Sequence, residues 1–573
     1  MFEPLPAAVQ EFMQWSWAQI EPYYQELESR PLELQNSANW LADWTRLNDL
    51  ITEWYARLNV AVTVDTADPQ AEMRYNAFLD EIYPASQAAE QKLKRKLLDS
   101  KLEPPGFELP LRKMHLEAEI FRSENLPLLT EERKLASEYN KLIGAQTVQW
   151  QGEERTLQQM RLVLQDGQRE KREQAWRSIA ARQLADRQAI NDLWRKFMPL
   201  RASLAKNSGM EDYRTYRWAQ MLRLDYTPQD CQEFQDAIEQ VVVPAATRLY
   251  ERQRLNLGVS SLRPWDLDQD LYPIHLPALL PYGGVVELQM KAQAVFDRVD
   301  AQLGEYFRIL RAENLLDLDN RKGKAPGAYC TGFPVMRLPF IFMNAVGLAS
   351  DIRTILHETG HAFHNFERLR LPYTQQRNPG LEFAEVASMA MELLASPYLQ
   401  EEKGGFYSQA EANRFRAEHL EHILVFWPYM AVVDAFQHWV YTHVDLAQDH
   451  QACDEKWLEI WQRFIPGVDW IGLEAEAMTG WHRKQHIYRY PFYYVEYGLA
   501  QLGAVQVWRN ALQDQAQAVK KYREALALGG TANLPELYRA AGARFAFDRG
   551  TLEEAVDLIE SQLAFYEQMD KGE

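Results

Sequence analysis

The chain has 573 residues, of which 47% are hydrophobic and 25% charged, and its formal net charge is −19. This length and balance predict a soluble globular protein with a large core and two or more domains or lobes. The acidity excludes a nucleic-acid partner, because binding to phosphates requires a basic surface. No uninterrupted apolar stretch reaches the ~18 residues of a membrane span, so we expect no membrane partner.

Cysteine use and the amino terminus indicate the compartment. Cys231, Cys330 and Cys453 are scattered and odd in number, which implies neither a disulfide framework nor a C-x-x-C site. Residues 1–6 lack the basic start and the long apolar run of a signal peptide. We therefore expect a cytoplasmic protein in a reducing environment.

The first part of the chain is predicted to be helical. Across residues 37–60, tryptophan, leucine and isoleucine recur three and four residues apart, as on the buried face of an amphipathic helix. Val148 to Gly152 suggests a small hairpin or a turn. A turn at Asn207-Ser208-Gly209 ends a long helix, and we place a boundary there. It divides the chain into an N-terminal helical lobe, 1–206, and a second region, 207–573.

A short β-structure interrupts the helices. Leu338 to Asn344 combines aromatic and β-branched residues, which predicts a strand. Pro339 favours an edge position for this strand, because proline cannot donate to a central ladder. An extended peptide could add to such a free edge as a further strand. The alternative is a small structural sheet without any ligand contact.

Further helices are predicted towards the carboxyl terminus. Residues 381–392 are rich in alanine, methionine, leucine and glutamate, which favours a helix. One long helix is predicted over residues 500–528, with two glycines as its stop signal. The residues from Thr551 to Glu554 fit a capping box that opens the last helix.

The pattern H-E-x-x-H stands between Leu356 and His364. On a helix, His357 and His361 project from the same face. Two imidazoles held in this way can supply two protein ligands of a catalytic zinc and leave a position open for water. Glu358 is then placed to take a proton from that water. The alternative is an ordinary helix that happens to carry two histidines and a glutamate.

A third ligand is expected from a neighbouring helix. When the third ligand is a histidine, it follows the motif in the pattern H-x-x-G-x-x-H. His364 comes three residues after His361 and does not complete that pattern, so a carboxylate is favoured as the third ligand. A helical hairpin would bring Glu382, Glu385 and Glu392 beside the histidines. Glu385 and Glu392 share a helix face, and we take Glu385 as the ligand and Glu392 as the acceptor that holds a histidine ring. Ordinary surface glutamates are the alternative.

These residues carry a family resemblance. The order of H-E-x-x-H and then Glu385 within E-V-A-S-M-A-M-E resembles the M3 zinc peptidases, which include thimet oligopeptidase, neurolysin and the oligoendopeptidase F group. A later block, from His486 to Gly498, is similar to the family's segment of histidine and tyrosines, most of all in its oligoendopeptidase F-type form. The resemblance covers residues 200–573 closely and the amino-terminal part loosely.

The resemblance implies both a fold and an activity. It implies a mainly α-helical protein, with two helical lobes around a deep substrate channel and a small β-sheet next to the H-E-x-x-H zinc helix. Residues 207–573 would be the catalytic region. The activity would be that of a zinc metalloendopeptidase with one zinc ion per chain. It would hydrolyse internal bonds of short, unstructured oligopeptides.

The family also places a tyrosine and a histidine opposite the metal, where they assist the reaction. In this chain the candidates are His486 and Tyr497, with Tyr490 and Tyr494 as further possibilities. Pro491-Phe492 replaces the glycine-rich loop with Tyr-Asp of the mammalian members. Which tyrosine before Tyr497 plays which role is therefore left open.

Two other functions compete with the peptidase. An inactive helical protein that binds peptides is disfavoured by the intact Glu358 and Glu385, since loss of activity would let these positions drift. A zinc hydrolase of a non-peptide amide is disfavoured by the expected edge strand and by the histidine and tyrosine block. No G-x-S-x-G motif is found, so a nucleophilic serine has no support.

Overall fold

The computed structural model describes residues 4–268, 272–274, 278–321, 323–325 and 327–571. Residues 1–3, on which the signal-peptide expectation partly rests, lie outside the described residues. The chain forms two compact units, the first made of residues 1–119, 280–412 and 503–545 and the second of 120–279, 413–502 and 546–573. The predicted division into 1–206 and 207–573 stays a proposal. The compact units show which residues pack together, but not which parts of the chain fold independently.

The amino-terminal segment folds into six helices. They are α1 Val9–Phe12, α2 Trp17–Ser29, α3 Ser37–Val64, α4 Pro69–Ala77, α5 Tyr83–Ser100 and α6 Glu108–Ile120. The amphipathic helix predicted at residues 37–60 is confirmed as α3. Its Trp40 and Trp44 are fully buried, and Nε1 of Trp44 donates to Glu90 at 2.7 Å. The tryptophan stripe therefore belongs to the core.

Seven helices and a hairpin follow in the second unit. The helices are α7 Asn125–Gly144, α8 Leu157–Leu164, α9 Arg169–Ala185, α10 Arg187–Asn207, α11 Tyr213–Gln220, α12 Pro228–Ala237 and α13 Val243–Leu257. The predicted hairpin is confirmed as β1, Thr147–Trp150, and β2, Glu153–Thr156. Gln151 and Gly152 both have positive φ, as a tight two-residue hairpin turn requires.

The first unit contains a three-stranded sheet beside its helices. The helices here are α14 Val285–Val299, α15 Ala301–Ala312, α16 Ala349–Arg368 and α17 Leu381–Ala395. The strands are β3 Leu316–Asp319, β4 Tyr329–Phe333 and β5 Leu338–Ala345, in the order β3-β5-β4. Strand β5 runs parallel to β3 and antiparallel to β4, and it packs on α16.

The expected edge position of the strand at 338–344 was wrong, because β5 is the central strand. The proline is tolerated because β3 is short. Pairing with β3 begins only at Ile341, whereas Pro339 lies opposite Gly332 of β4. The missing N–H of Pro339 therefore breaks no bond to β3. Among the described strands, β4 is an edge of this sheet.

The remaining helices complete both units. They are α18 Gln409–Thr442, α19 Val444–Ala447, α20 His450–Phe464, α21 Glu474–Met478, α22 Gln485–Arg489, α23 Tyr494–Gln513, α24 Gln515–Ala527, α25 Leu534–Ala540 and α26 Arg549–Lys571. Short helical turns of other types are Phe78–Ile82, Ile238–Val242, Pro264–Asp266, Thr374–Gln376, Ser396–Tyr398, Glu401–Lys403, Gly480–Arg483 and Gly529–Thr531. The protein is thus mostly helical with small sheets, as predicted.

Two predicted boundaries were wrong. The single helix expected at 500–528 is divided into α23 and α24 at Asp514, whose extended backbone ends one helix while its carboxylate caps the next. The last helix begins at Arg549, before Thr551. Asp548 accepts a hydrogen bond from the backbone N–H of Thr551 at 3.0 Å, so an aspartate takes the capping role expected of the threonine. No helix within the described residues is both long and apolar enough to span a bilayer.

Candidate metal centre and active site

Helix α16, which carries the H-E-x-x-H pattern, has a firmly held start. The carboxylate of Asp351 accepts hydrogen bonds from the backbone N–H groups of Val346, Gly347 and Leu348 at 2.8 to 2.9 Å. These bonds fix the turn that leads from β5 into the helix. An acid in the first turn also interacts favourably with the helix dipole.

Helix α17 packs very closely on α16. A Cβ atom on Gly360 would lie only 2.5 Å from the carbonyl oxygen of Ala387 and 2.6 Å from Cα of Ser388. Both neighbours are backbone atoms, which cannot rotate away. The glycine within H-E-T-G-H therefore allows the approach that brings the side chains of α17 to the histidines.

This approach places three predicted ligands together. Nε2 of His357 and Nε2 of His361 lie 3.4 Å and 3.5 Å from Oε2 of Glu385, and the three ligand atoms lie within 4.8 Å of one another. Two ligand atoms about 2.0 to 2.1 Å from a tetrahedral zinc are roughly 3.4 Å apart. The donor set and its spacing therefore fit a zinc ion.

Two further side chains orient these ligands. Nδ1 of His357 lies 2.8 Å from Oε1 of Glu392, and since a carboxylate can only accept, Nδ1 donates and Nε2 keeps its lone pair for a metal. The hydroxyl of Ser388 lies 3.1 Å from Oε2 of Glu385. Ser388 is fully buried, so its contact restricts the rotamer of that glutamate.

The ligands perturb one another electrostatically. Burial lowers the pKa of His357, but its hydrogen bonds to Glu385 and Glu392 outweigh burial and raise the pKa well above its ordinary value. Burial raises the pKa of Glu385, but the charge of His361 and hydrogen bonds to both histidines outweigh it and depress the pKa.

Glu358 lies beside the ligands but is not one of them. It is 7% exposed, and its Oε2 has no hydrogen-bond partner among the described residues. Burial raises the pKa of Glu358 above its ordinary value, and the two histidines partly oppose this. A buried carboxylate oxygen without a partner, beside a metal-ligand set, is suited to receive a proton from a bound molecule.

Edge strand β4 lies against the same helix. A Cβ on Gly332 would lie 2.8 Å from Oδ1 of Asn365, and Nδ2 of Asn365 donates to the carbonyl oxygen of His361 at 3.2 Å. The small sheet expected next to the H-E-x-x-H helix is therefore present. The edge that an extended peptide could use belongs to β4 and not to the strand at 338–344.

Two other candidates are placed away from the ligand group. Glu382 is buried, and its Oε2 lies 2.8 Å from where a Cβ on Gly380 would be. His364 packs against the ring of Phe383, with centroids 6.1 Å apart, and burial lowers its pKa well below its ordinary value. Neither residue belongs to a group of ligand atoms suited to a metal within the described part of the chain.

His486 and Tyr497 belong to the second unit, where they lie together. Their ring centroids are 5.8 Å apart with the planes at 88°, and both side chains are half-buried. Tyr494 is closer still, at 4.9 Å from the ring of His486, and it is buried. Tyr490 is 43% exposed. Of the three tyrosines, Tyr490 is thus the most exposed.

The backbone of this segment is held by arginine side chains. Arg201 donates to the carbonyl oxygen of Ile487 at 3.1 Å and to that of Tyr488. Arg217 donates to the carbonyl oxygen of Pro491 at 3.1 Å. Hydrogen bonds from charged donors are strong, so the chain from α22 to Pro491 has a defined conformation.

Phe492 has an unusual conformation within this segment. Its φ is +64° although it is not a glycine, and its side chain is fully buried. The backbone N–H of Phe492 donates to Oε1 of Gln437 at 2.8 Å, and its carbonyl oxygen accepts from Arg223. These contacts stabilise a conformation that costs free energy for a side chain of this size.

Sequence reasoning missed several residues that position the site. Gly360 and Ser388 lie inside the two motifs, but only packing shows that one permits close helix contact and the other holds Glu385. Asp351 was detectable as an acid in the first turn of a helix. The arginines that hold the tyrosine segment are more than 250 residues from it in sequence, and no local pattern indicates them.

The fold and the site define a class of protein. A mostly helical chain whose H-E-x-x-H helix faces a glutamate of the following helix has the ligand pattern of a zinc-dependent peptidase. The chain belongs to peptidase family M3, since the family model matches residues 162–557 and the model of the M3 N-terminal domain matches residues 10–105.

Curated relatives agree with this family. The oligopeptidase PepF of Bacillus subtilis strain 168 is 24% identical over 318 residues, which are 53% of this chain and 45% of that protein. The chromosomal oligoendopeptidase F of Lactococcus lactis subsp. cremoris is 25% identical over 348 residues, which are 58% of this chain and 53% of that protein. The chain thus matches about half the length of these relatives.

Solved structures share the fold over almost the whole chain. A structure of PZ peptidase A with an inhibitor is 26% identical, covers 98% of both chains and has a TM-score of 0.88. Oligoendopeptidase-F of Enterococcus faecium has a TM-score of 0.63 over 98% of this chain and 99% of that one. At 15% identity, the second likeness supports the fold alone.

Proposed function

We propose that the protein is a zinc metalloendopeptidase that hydrolyses internal peptide bonds of short, unstructured oligopeptides. The observation that carries this proposal is the group formed by His357, His361 and Glu385, whose ligand atoms lie within 4.8 Å of one another beside the unpartnered carboxylate oxygen of Glu358. Family membership supports the peptidase class.

The metal would be held by the two Nε2 atoms and by Oε2 of Glu385. Zinc supplies Lewis-acid activation of water when it is bound to such a group. The residues of the chain prepare the site for it: Glu392 fixes the tautomer of His357, and Ser388 restricts Glu385. We expect one zinc ion per chain at this centre.

Glu358 would act as general base and then as general acid. It accepts a proton from the attacking water and passes it to the nitrogen of the leaving amine. Burial raises the pKa of Glu358 and favours this exchange. A carboxylate with a raised pKa is a stronger base than one with the ordinary pKa of glutamate. The amine leaves protonated, and Glu358 returns to its ionised form.

His486 and Tyr497 would donate hydrogen bonds to the oxygen of the scissile carbonyl. Attack on that carbonyl builds negative charge on the oxygen, and each donor aimed at it lowers the barrier. Support comes from the family resemblance and from the arginines that hold the backbone from α22 to Pro491. Tyr494 and Tyr490 are the reserve candidates for the same role.

The substrate would bind as an extended peptide along β4. The strand leaves an edge among the described residues and contacts the H-E-x-x-H helix at Gly332 and Asn365, so a peptide added there would lie next to the ligands. The preference for short peptides rests on the channel that the family resemblance implies. A cytoplasmic location remains our expectation from cysteine use.

The decisive experiment separates chemistry from binding. The purified protein is incubated with a mixed pool of peptides, with and without a chelator, and cleavage is read by mass spectrometry. Glu358→Gln is the matched variant, because it keeps the shape of the side chain and is not a ligand. It should retain zinc and lose cleavage. Substantial turnover by this variant, or by the chelated enzyme, would overturn the proposal.

A further inference from the structure

A second group of metal-ligating side chains lies in the second unit. Cys231 is on α12, and Asp434 and His438 lie one turn apart on α18. One ligand atom from each side chain lies within 4.8 Å of the other two. All three residues are buried, with exposed fractions of 0%, 0% and 4%. None of them belongs to the centre on α16 and α17.

Several polar atoms of this group lack partners. Oδ1 of Asp434 and both ring nitrogens of His438 have no hydrogen-bond partner among the described residues. Nε2 of His438 lies 3.4 Å from Oδ2 of Asp434, but without the geometry of a hydrogen bond. Buried polar atoms that remain unsatisfied cost free energy, and native proteins hold few of them. A bound cation would give a partner to a ring nitrogen of His438 and would neutralise the buried carboxylate of Asp434.

The surroundings resemble those of a built site. Nε2 of Gln235 donates to Oδ2 of Asp434 at 2.7 Å, as a partner outside the ligand set does when it orients a ligating carboxylate. The rings of Trp218 and Phe492 lie 5.9 Å and 5.2 Å from the ring of His438. An apolar wall of this kind lowers the local dielectric and strengthens attraction between a cation and its ligands.

We propose that Cys231, Asp434 and His438 bind a divalent transition-metal ion, with zinc as the expected species. A thiolate, an imidazole and a carboxylate together suit zinc, whereas calcium and magnesium prefer oxygen ligands alone. The separation of 3.4 Å between Nε2 and Oδ2 also agrees with the roughly 3.4 Å expected for two ligands of a tetrahedral zinc. A water molecule would take the fourth position.

This site has a structural role. It links α12 to α18, two helices that are far apart in sequence, through ligands more than 200 residues from one another. It also adjoins Phe492, whose backbone N–H bonds to Gln437, the neighbour of His438. The ion therefore stabilises the core beneath the segment that carries the tyrosines. It takes no part in the reaction proposed for the other centre and would raise the metal content above the single zinc expected from the sequence.

Cobalt distinguishes the two centres. The protein is stripped of metal, reloaded with Co²⁺ and tested for near-ultraviolet absorption from charge transfer between thiolate and cobalt. The ligands proposed for the centre on α16 and α17 are nitrogen and oxygen atoms only, so we expect this absorption to come from Cys231. The wild-type chain should bind about two equivalents of Co²⁺, one for each group, and should show the thiolate band.

Variants assign the signal. Cys231→Ser should lose the band and one equivalent of metal, whereas His357→Ala should lose one equivalent and keep the band. Cys453→Ser is the matched control, because that thiol is also buried in the second unit, donates to the carbonyl oxygen of Ala447 at 3.3 Å and lies outside the ligand group. It should keep both equivalents, as should Cys330→Ser.

The wild-type chain alone can overturn the proposal. One equivalent of Co²⁺ without a thiolate band would show that Cys231, Asp434 and His438 bind no metal ion. The group would then be a contact between Asp434 and His438 with the thiol beside it. A band that survives in Cys231→Ser would assign it to another cysteine. Should Cys231→Ser fail to fold, Asp434→Asn is examined instead, with far-ultraviolet circular dichroism as the check on folding. These readouts do not depend on peptide cleavage, so the proposed function stands or falls separately.

Discussion

Glu392 lies 2.8 Å from Nδ1 of His357, on the side of the imidazole opposite to the nitrogen that faces Glu385. The glutamate holds the ring in one orientation and one tautomer. Its negative charge also makes Nε2 a better donor to a cation. A metal held by His357 and Glu385 would thus depend on a residue that does not touch it.

Glu392→Ala should weaken zinc binding without abolishing it. Loss of such a supporting partner typically costs about 10- to 100-fold in metal affinity. Glu392→Gln keeps an acceptor oxygen and should lose less. The zinc affinity is measured by competition with a chelating dye. Each variant also carries Cys231→Ser, so that only the centre on α16 and α17 is measured. Wild-type affinity in Glu392→Ala would remove the residue from its supporting role.

Glu385→Ala should lose the zinc of the α16 and α17 centre. The nearby Glu382 is the matched control, since it is a buried glutamate of the same helix that lies outside the ligand group. Glu382→Ala should keep the metal. Elemental analysis of protein purified without chelator reports both. The reverse pattern would transfer the third ligand to Glu382.

Tyr497→Phe should lower kcat by about a hundredfold while KM stays near its original value. Loss of one donor to a developing oxyanion typically costs ~3 kcal/mol, and a bond formed only in the transition state affects kcat and not binding. The zinc content and Tm should not change. Tyr490→Phe, with its more exposed ring, should have a smaller effect. A normal kcat in Tyr497→Phe would direct attention to Tyr494 and His486.

Gly360→Ala should destabilise the first unit and weaken zinc binding. The added methyl would meet backbone atoms of Ala387 and Ser388 at 2.5 Å and 2.6 Å, and overpacking of this kind costs about 1–3 kcal/mol. Gly144→Ala is the control, because a methyl there meets no atom within 4 Å at the end of a helix. Thermal unfolding should show a lower Tm for Gly360→Ala only, and equal Tm values would refute the close approach of α16 and α17.

Substrate size should decide what is cut. Short peptides derived from casein should be cleaved, whereas intact casein should resist, because the channel implied by the family resemblance admits a thin chain only. Both are incubated with equal amounts of enzyme and compared by mass spectrometry. Rapid degradation of intact casein would exclude a selective channel.

Local sequence was sufficient to predict those elements whose geometry depends only on residues close together in the chain. The spacing of His357 and His361 places both on one helix face, and α3 and the hairpin at Gln151 and Gly152 were predicted for the same reason. Asp514 and Pro339 show the limit. Whether a helix continues or a strand lies at an edge depends on partners that local periodicity does not identify.

The sequence by itself determined the chemistry that this protein can offer: two histidines and a glutamate in helical register, and glutamates on a following helix. Only the tertiary structure decided which glutamate comes within reach, because the contact of Gly360 with the backbone of α17 sets the distance. The group of Cys231, Asp434 and His438 was likewise hidden in the sequence. Its members meet through packing of α12 against α18, and long-range packing leaves no local spacing from which to infer it.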